Sequence, residues 1–214
     1  EHYNRSFAIY EKLGYRTGMA STLGNIGIVH RILGDYSHAL DAYRKSLEMF
    51  ESMEDMRGVA NTLINMGASL NTIGDPDEAL ACYRRVLVIC EKTGYKPGMA
   101  AAFQDMGAVY REGGDDSKAL TYFQRSLAIR EEIGFKPGIA SAMNNLADMA
   151  VSAGDGEKAM GYLRRSLAVC EEIGDENERA GTETRLCHLY RARGIPKEAM
   201  EYGKNALARS KRLR

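Results

Sequence analysis

One block recurs every 40 residues along this 214-residue chain, without an insertion or deletion. The junction Leu33-Gly34-Asp35 returns as Ile73-Gly74-Asp75, Gly113-Gly114-Asp115 and Ala153-Gly154-Asp155, and weakens to Arg193-Gly194-Ile195. Five residues past each of these glycines stands an alanine: Ala39, Ala79, Ala119, Ala159 and Ala199. Repetition this strict means that each unit packs mainly against its neighbours along the chain. Function is then expected on an extended surface rather than in one deep pocket.

The segment from Arg57 to Thr93 serves as the type unit. Val59, Ala60, Leu63, Met66, Gly67 and Leu70 recur at helical spacing and predict an amphipathic first helix. Gly74 is placed to end it, because the residue after a helix C-terminus often needs a positive φ. Asp75 then suits an N-cap, Pro76 a first helical position, and Glu78 the glutamate of a capping box. Ala79, Leu80, Tyr83, Leu87 and Ile89 mark a second helix that Gly94 stops. In two later repeats Pro97 and Pro137 open the following first helix. No segment carries a strand signal. Small residues share one place on each first helix (Gly27, Gly67, Gly107, Ala147, Cys187), and the alanine series holds one place on each second helix. Together they predict a close approach of the two helices.

The recurring order of a large apolar residue, a Gly or Ala, often a Tyr, then Gly-Asp, Ala-Leu and an aromatic resembles the tetratricopeptide repeat. The run from Ala20 through Leu23, Ile26, Gly27, Gly34, Asp35, Ala39 and Leu40 to Tyr43 follows that pattern, and the resemblance covers essentially the whole chain. The 40-residue period is longer than the usual 34 of the class. It is similar to the subgroup of kinesin light chains, Pins-type adaptors and bacterial Rap-type regulators. Leu127-Ala128-Ile129-Arg130-Glu131-Glu132 and Asn144-Asn145-Leu146-Ala147 look especially like kinesin light chain. The resemblance implies an all-α, right-handed superhelical solenoid of antiparallel helix pairs whose first helices line a concave groove. The expected organisation is a single solenoid over 1–214. A partial second helix spans 1–14, full repeats span 15–54, 55–94, 95–134 and 135–174, and a degenerate capping repeat spans 175–214.

Candidate binding residues are those of the first helices that neither core nor repeat packing claims. Asn25, Asn65, Asp105, Asn145 and Arg185 occupy one recurring place. Asparagine is a mediocre helix former, so its return in mid-helix asks for a reason. A side-chain amide both donates to a peptide carbonyl and accepts from a peptide N–H, so a ladder of them suits an extended peptide backbone. Groove asparagines at corresponding places hold peptide ligands in the resembled families. Asp105 and Arg185 interrupt the series. Ile28, Ile32, Ile64 and Ala68 offer an apolar stretch, while Gln104, Asp105, Glu112, Asn144 and Asp148 suit a polar or basic one. Arg185, His188 and Arg191, with Arg31 and Arg111 equivalent to Arg191, suit an acidic group. The other reading of this face is a solvated helix surface of mixed charge, with the asparagines serving repeat-to-repeat hydrogen bonds.

The final unit departs from the pattern. Glu183 replaces Leu23, Leu63, Phe103 and Met143, Gly203 stands where the second-helix aromatic belongs, and Arg209 replaces an Ile, Met or Val. A polar last helix suits a free solenoid end. On that reading Lys211-Arg212-Leu213-Arg214 lies near the natural end of the array. Glu1 aligns with Asp41 in mid-repeat, so the chain is expected to be cut from something longer.

The remaining features bound the function. Balanced charge, 29 basic against 29 acidic residues, argues against a nucleic-acid or membrane partner. No apolar run approaches the roughly 18 residues that cross a bilayer. Cys82, Cys90, Cys170 and Cys187 form no CxxC pair and read as packing residues in a reducing, cytoplasmic setting. His30 occupies the place of Leu70 and Tyr110 and is expected to pack, and His2, His38 and His188 show no metal-ligand spacing. No P-loop, nucleophile elbow, HExxH or dinucleotide fingerprint is present. The expectation is a non-enzymatic adaptor with no cofactor or metal, taking a protein or peptide ligand. The alternative is a self-associating or intramolecular regulatory scaffold within a larger signalling protein.

Overall fold

The computed structural model describes residues 2–212, so Leu213 and Arg214 of the basic tail lie outside the described residues. The described chain is a succession of α-helices joined by short turns. In order they are α1 (His2–Lys12), α2 (Arg16–Ile32), α3 (Tyr36–Ser52), α4 (Met56–Thr72), α5 (Pro76–Thr93) and α6 (Lys96–Glu112). There follow α7 (Asp116–Glu132), α8 (Lys136–Ser152), α9 (Gly156–Ile173), α10 (Glu176–Ala192) and α11 (Pro196–Arg212). They fall into two compact units, Glu1–Gly113 and Gly114–Arg214. Within the first, α2 pairs with α3 and α4 with α5; within the second, α8 pairs with α9 and α10 with α11. The first helices α2, α4 and α6 also touch in sequence, as do α8 and α10, so first helices stand side by side on one face of each unit.

The Gly-Asp junction performs two tasks in three residues. At Gly74 (φ 87°), the Gly74 N–H donates to the Asn71 carbonyl and the Asp75 N–H to the Leu70 carbonyl, 3.1 and 2.9 Å. This pair of bonds is a Schellman motif, satisfying carbonyls left open at the end of α4. The Asp75 carboxylate then accepts from the Glu78 N–H at 3.3 Å and caps α5. The same arrangement recurs at Gly34-Asp35 and Gly154-Asp155. It also corrects the capping-box expectation: the Asp75 N–H that Glu78 was to reach is already bonded to Leu70. At the other turn of each repeat, Gly14, Gly94, Gly134 and Gly174 hold positive φ, and Glu54 takes that place in one repeat at φ 55°.

The core explains the small residues differently from the sequence expectation. A β-carbon on Gly27 would lie 2.5 Å from the Tyr43 ring, and one on Gly67 2.7 Å from the Tyr83 ring. The glycines therefore seat the aromatic of the second helix rather than face its alanine. Tyr43 and Tyr83 are buried to 0% and 1% exposure as a result. In the second unit the volumes exchange: Ala147 and Leu163 share one core cluster, and at Gly203 the neighbouring atom is the Cys187 sulfur. As the first-helix residue grows, its partner shrinks.

The last repeat is likewise complementary rather than merely polar. Glu183 is 1% exposed, and its carboxylate accepts from Arg209 Nε at 3.1 and 3.0 Å. Arg209 also pairs with Glu176, and Arg179 Nε lies 3.4 Å from Glu183. A buried ion pair between α10 and α11 thus stands at the places where earlier repeats carry apolar residues.

Candidate functional site

In the first unit, the exposed edges of α2 and α4 enclose a cleft of about 200 Å³ lined by Asn25, Ile28, Asn61 and Asn65 over Ser46, Phe50 and Thr62. The helix period places these groups together, since residues three and four apart share a face. The floor hydroxyls are committed to packing: Ser46 Oγ donates to the Ala20 carbonyl at 2.8 Å and Thr62 Oγ1 to the Gly58 carbonyl at 2.9 Å. The rim amides are differently placed. Asn65 Nδ2 donates to the Asn61 carbonyl at 3.2 Å, and the Tyr95 hydroxyl donates to Asn61 Oδ1 at 3.2 Å. Asn25 is exposed, and no hydrogen bond among the described residues engages its amide. The cleft therefore presents amide oxygens and N–H groups beside the half-buried Ile28 side chain. Asn61, four residues before Asn65, is a rim residue absent from the sequence expectation, and the shared helical face was its signal.

The other first-unit candidates lie elsewhere. Ile64 is half-buried on α4 outside this cleft, and Ile32 is 72% exposed. Arg31 sits half-buried beside the Tyr43 hydroxyl. Burial pushes that phenol above its usual range, and the Arg31 guanidinium and Ser69 hydroxyl pull it only partly back. Gln104, Asp105 and Arg111, half-buried on α6, are engaged with neighbouring groups. Nearby, Asn71 Nδ2 donates to Glu112 Oε2 at 2.7 Å.

In the second unit, α8 and α10 enclose a larger cleft of about 500 Å³. Ala147, Val151, Leu163 and Leu189 form its apolar wall, and Asp148, Arg185, His188 and Arg191 its polar edge. Arg185 does not offer a bare charge, since Nε and Nη2 donate to Asp148 at 3.0 and 3.2 Å in a forked pair. Arg191 is exposed, with Nη2 at 3.5 Å from His188 Nδ1. Asn145 is half-buried on α8, and no hydrogen bond among the described residues engages it.

Asn144 requires a correction. It is 2% exposed, and its Nδ2 donates to Glu178 Oε1 at 2.8 Å and Thr182 Oγ1 at 2.9 Å on α10. Its amide joins one repeat to the next and is not presented to a ligand. The histidine expectation is corrected as well. His30 and His38, on either side of the Gly34 turn, converge with Nδ1 3.2 and 2.8 Å from Asp35 Oδ2. The His38 ring, its closest partner, holds the Asp35 carboxyl below the ordinary range. Sequence spacing concealed this because the turn folds the two rings together.

The four cysteines are free thiols. Burial pushes Cys90 up to about 11 and raises Cys170, which suits packing rather than nucleophilic chemistry. No helix among the described residues is long and apolar enough to cross a membrane.

This architecture agrees with the comparisons to known proteins. A tetratricopeptide-repeat family model matches residues 1–52 and 58–132, and a second tetratricopeptide-repeat model matches 139–173. The chain belongs to the tetratricopeptide-repeat family. No curated protein sequence matches it. Among solved structures, it is similar to BtubC (BKLC) from P. vanneervenii, with a TM-score of 0.84 at 18% identity over 99% of this chain and 89% of that one. A Podosopora anserina protein described as a kinesin light chain with nearly identical TPR-like repeats gives 0.68 at 16% identity, covering 91% and 96%. A Rap protein complexed with competence and sporulation factor gives 0.76 at 19%, covering 91% of this chain and 54% of that one. Likeness at this level of identity is one of fold.

Proposed function

We propose that this chain is a non-enzymatic protein-interaction module whose first-helix faces bind an extended peptide or a partner helix. The observation that carries the reading is the α2–α4 cleft, where Asn25 and Asn65 stand with Asn61 beside Ile28. Amides on a rim above an apolar side chain match the two needs of a peptide: partners for its backbone and a seat for a side chain. Asn145 extends the same chemistry to the second unit. There the α8–α10 cleft adds an apolar wall edged by His188 and Arg191, which suits a ligand carrying an acidic group. Arg185, tied to Asp148, shapes that edge. The Rap protein complexed with competence and sporulation factor offers a precedent for ligand binding on a similar fold.

The test is a random-peptide display selection on the chain, with Asn25→Ala/Asn65→Ala/Asn145→Ala as the counter-target. Each amide contact contributes roughly 1 kcal/mol net, so a peptide held by Asn25 and Asn65 is weakened about thirtyfold, and one held in the second unit by Asn145 about fivefold. Circular dichroism should show the variant as helical as the parent, since the three amides hold no helix-to-helix bond. Peptides that bind parent and variant equally well would overturn the reading.

A further inference from the structure

His30, Asp35 and His38 form the one group of metal-ligating side chains that the described structure gathers outside the binding faces. The imidazole Nδ1 atoms and the carboxylate oxygen all lie within 4.8 Å of one another. His30 Nδ1 stands 3.2 Å from Asp35 Oδ2, and His38 Nδ1 stands 2.9 Å from Oδ1 and 2.8 Å from Oδ2. The two rings stack with centroids 5.3 Å apart and planes 25° from parallel. Both Nδ1 atoms are thus directed at one carboxylate from opposite sides of the Gly34 turn.

Helix capping alone does not account for this arrangement. Asp75, Asp115 and Asp155 cap their helices at the equivalent place without it. At the place of His38 those repeats carry Glu78, Lys118 and Lys158, and Lys118 alone supplies a counter-charge, 2.7 Å from Asp115. At the place of His30 the chain elsewhere uses Leu70, Tyr110, Ala150 and Tyr190. Only the first repeat replaces both, and it does so with the residue type that most often binds metals.

We propose that His30, Asp35 and His38 bind a divalent transition-metal ion of the zinc class. Bonds of about 2.0–2.2 Å to two imidazole nitrogens and one carboxylate oxygen require donors roughly 3–3.5 Å apart. The nitrogen-to-oxygen separations of 2.8 and 3.2 Å lie close to that range and all three donors lie within 4.8 Å of one another, so binding requires the side chains to rotate until both nitrogens reach a common ion. The cap supports it: the His38 N–H donates to Asp35 Oδ1 at 3.3 Å and orients the carboxylate. Exposure of 34% for His30, 39% for Asp35 and 71% for His38 leaves the ion open to water for its remaining coordination. Each imidazole must give up its Nδ1 proton to bind, and the ion joins the end of α2 to the start of α3. Bound metal therefore stabilises the folded chain.

The test is titration of the untagged, metal-free protein with cobalt(II) and zinc(II). The expected result is one ion per chain, a cobalt visible spectrum without a sulfur charge-transfer band, and a rise in Tm on adding zinc. His30→Leu and His38→Lys install residues that other repeats of this chain already carry at those places, so both variants fold and both lose the spectrum and the Tm rise. His188→Gln keeps them. Absence of cobalt binding by the parent, its persistence in either variant, or a thiolate band that assigns the ion to cysteine would each overturn the proposal.

Discussion

Gly67 shows how strongly a single position is tied to its neighbour. An added methyl would meet Tyr83 Cε1 at 2.7 Å and Cζ at 2.8 Å, and Tyr83, at 1% exposure, has no free space in which to turn. In an open helix, Gly→Ala gains about 0.8–1.0 kcal/mol from backbone preference. Here overpacking costs typically 1–3 kcal/mol and wins. Gly67→Ala is therefore expected to lower the urea midpoint, while Gly67→Ala/Tyr83→Leu, which copies the Ala147 and Leu163 combination, recovers much of the loss. Additive effects in that double-mutant cycle would show that the two positions do not share one space. The sequence shows the glycine series and the aromatic series plainly, since both keep the 40-residue step. It does not show that they face each other, because which two of several small stripes meet depends on the rotation of each helix. The same limit applies at the candidate site. Asn25 and Asn65 are visible as a series, whereas Asn144, one residue from Asn145, turns inward to Thr182.

At the scale of the element, the α10–α11 hairpin joins two helices whose polar residues would otherwise be out of place. Glu183 and Arg209 each break the pattern of their helix, and read singly they suggest a solvated end. Packed, they supply each other's hydrogen bonds at 3.0 and 3.1 Å with Glu183 almost fully buried. Removing one partner of such a pair is costly, about 3–5 kcal/mol, because the other charge stays buried; replacing both by apolar groups is often neutral or stabilising by about 1–4 kcal/mol. Arg209→Ile is thus expected to destabilise the chain severely, leaving Glu183 only the 3.4 Å approach of Arg179. Glu183→Leu/Arg209→Ile, which restores the residue types of the earlier repeats, should match or exceed the parent in urea unfolding. A double variant as unstable as the single one would refute the compensation. The turns were more legible than the pairs, since Gly34, Gly74 and Asp75 announce their backbone geometry locally. Only the Glu78 half of the expected box failed, because the preceding helix had already claimed the Asp75 N–H.

For the molecule as a whole, stability in a repeat protein is close to a sum of local terms and neighbour interfaces, so it need not be uniform along the chain. Cys90 and Cys170 provide matched reporters, one in each unit, both at 0% exposure. With its thiol raised to about 11, Cys90 carries about one thiolate per thousand at pH 8 even before access is considered. Cys170 is raised by burial in the same sense. Neither should react with a thiol reagent except through opening of its surroundings, whereas the half-buried Cys187 reacts in the native state. The two openings should differ in free energy. The first unit seats Tyr43 and Tyr83 fully in its core; the second buries Phe123 and Tyr190, but its last repeat carries Gly203 against Cys187 at the aromatic's place and the Glu183–Arg209 ion pair beside it. Burial contributes roughly 25 cal/mol per Å², so the loss of one buried aromatic outweighs what an ion pair returns after desolvation. In graded urea, Cys170 is expected to label at a lower concentration than Cys90, with peptide mapping by mass spectrometry to assign the sites. Labelling of both at one midpoint, or of Cys90 first, would show that stability does not follow these local exchanges.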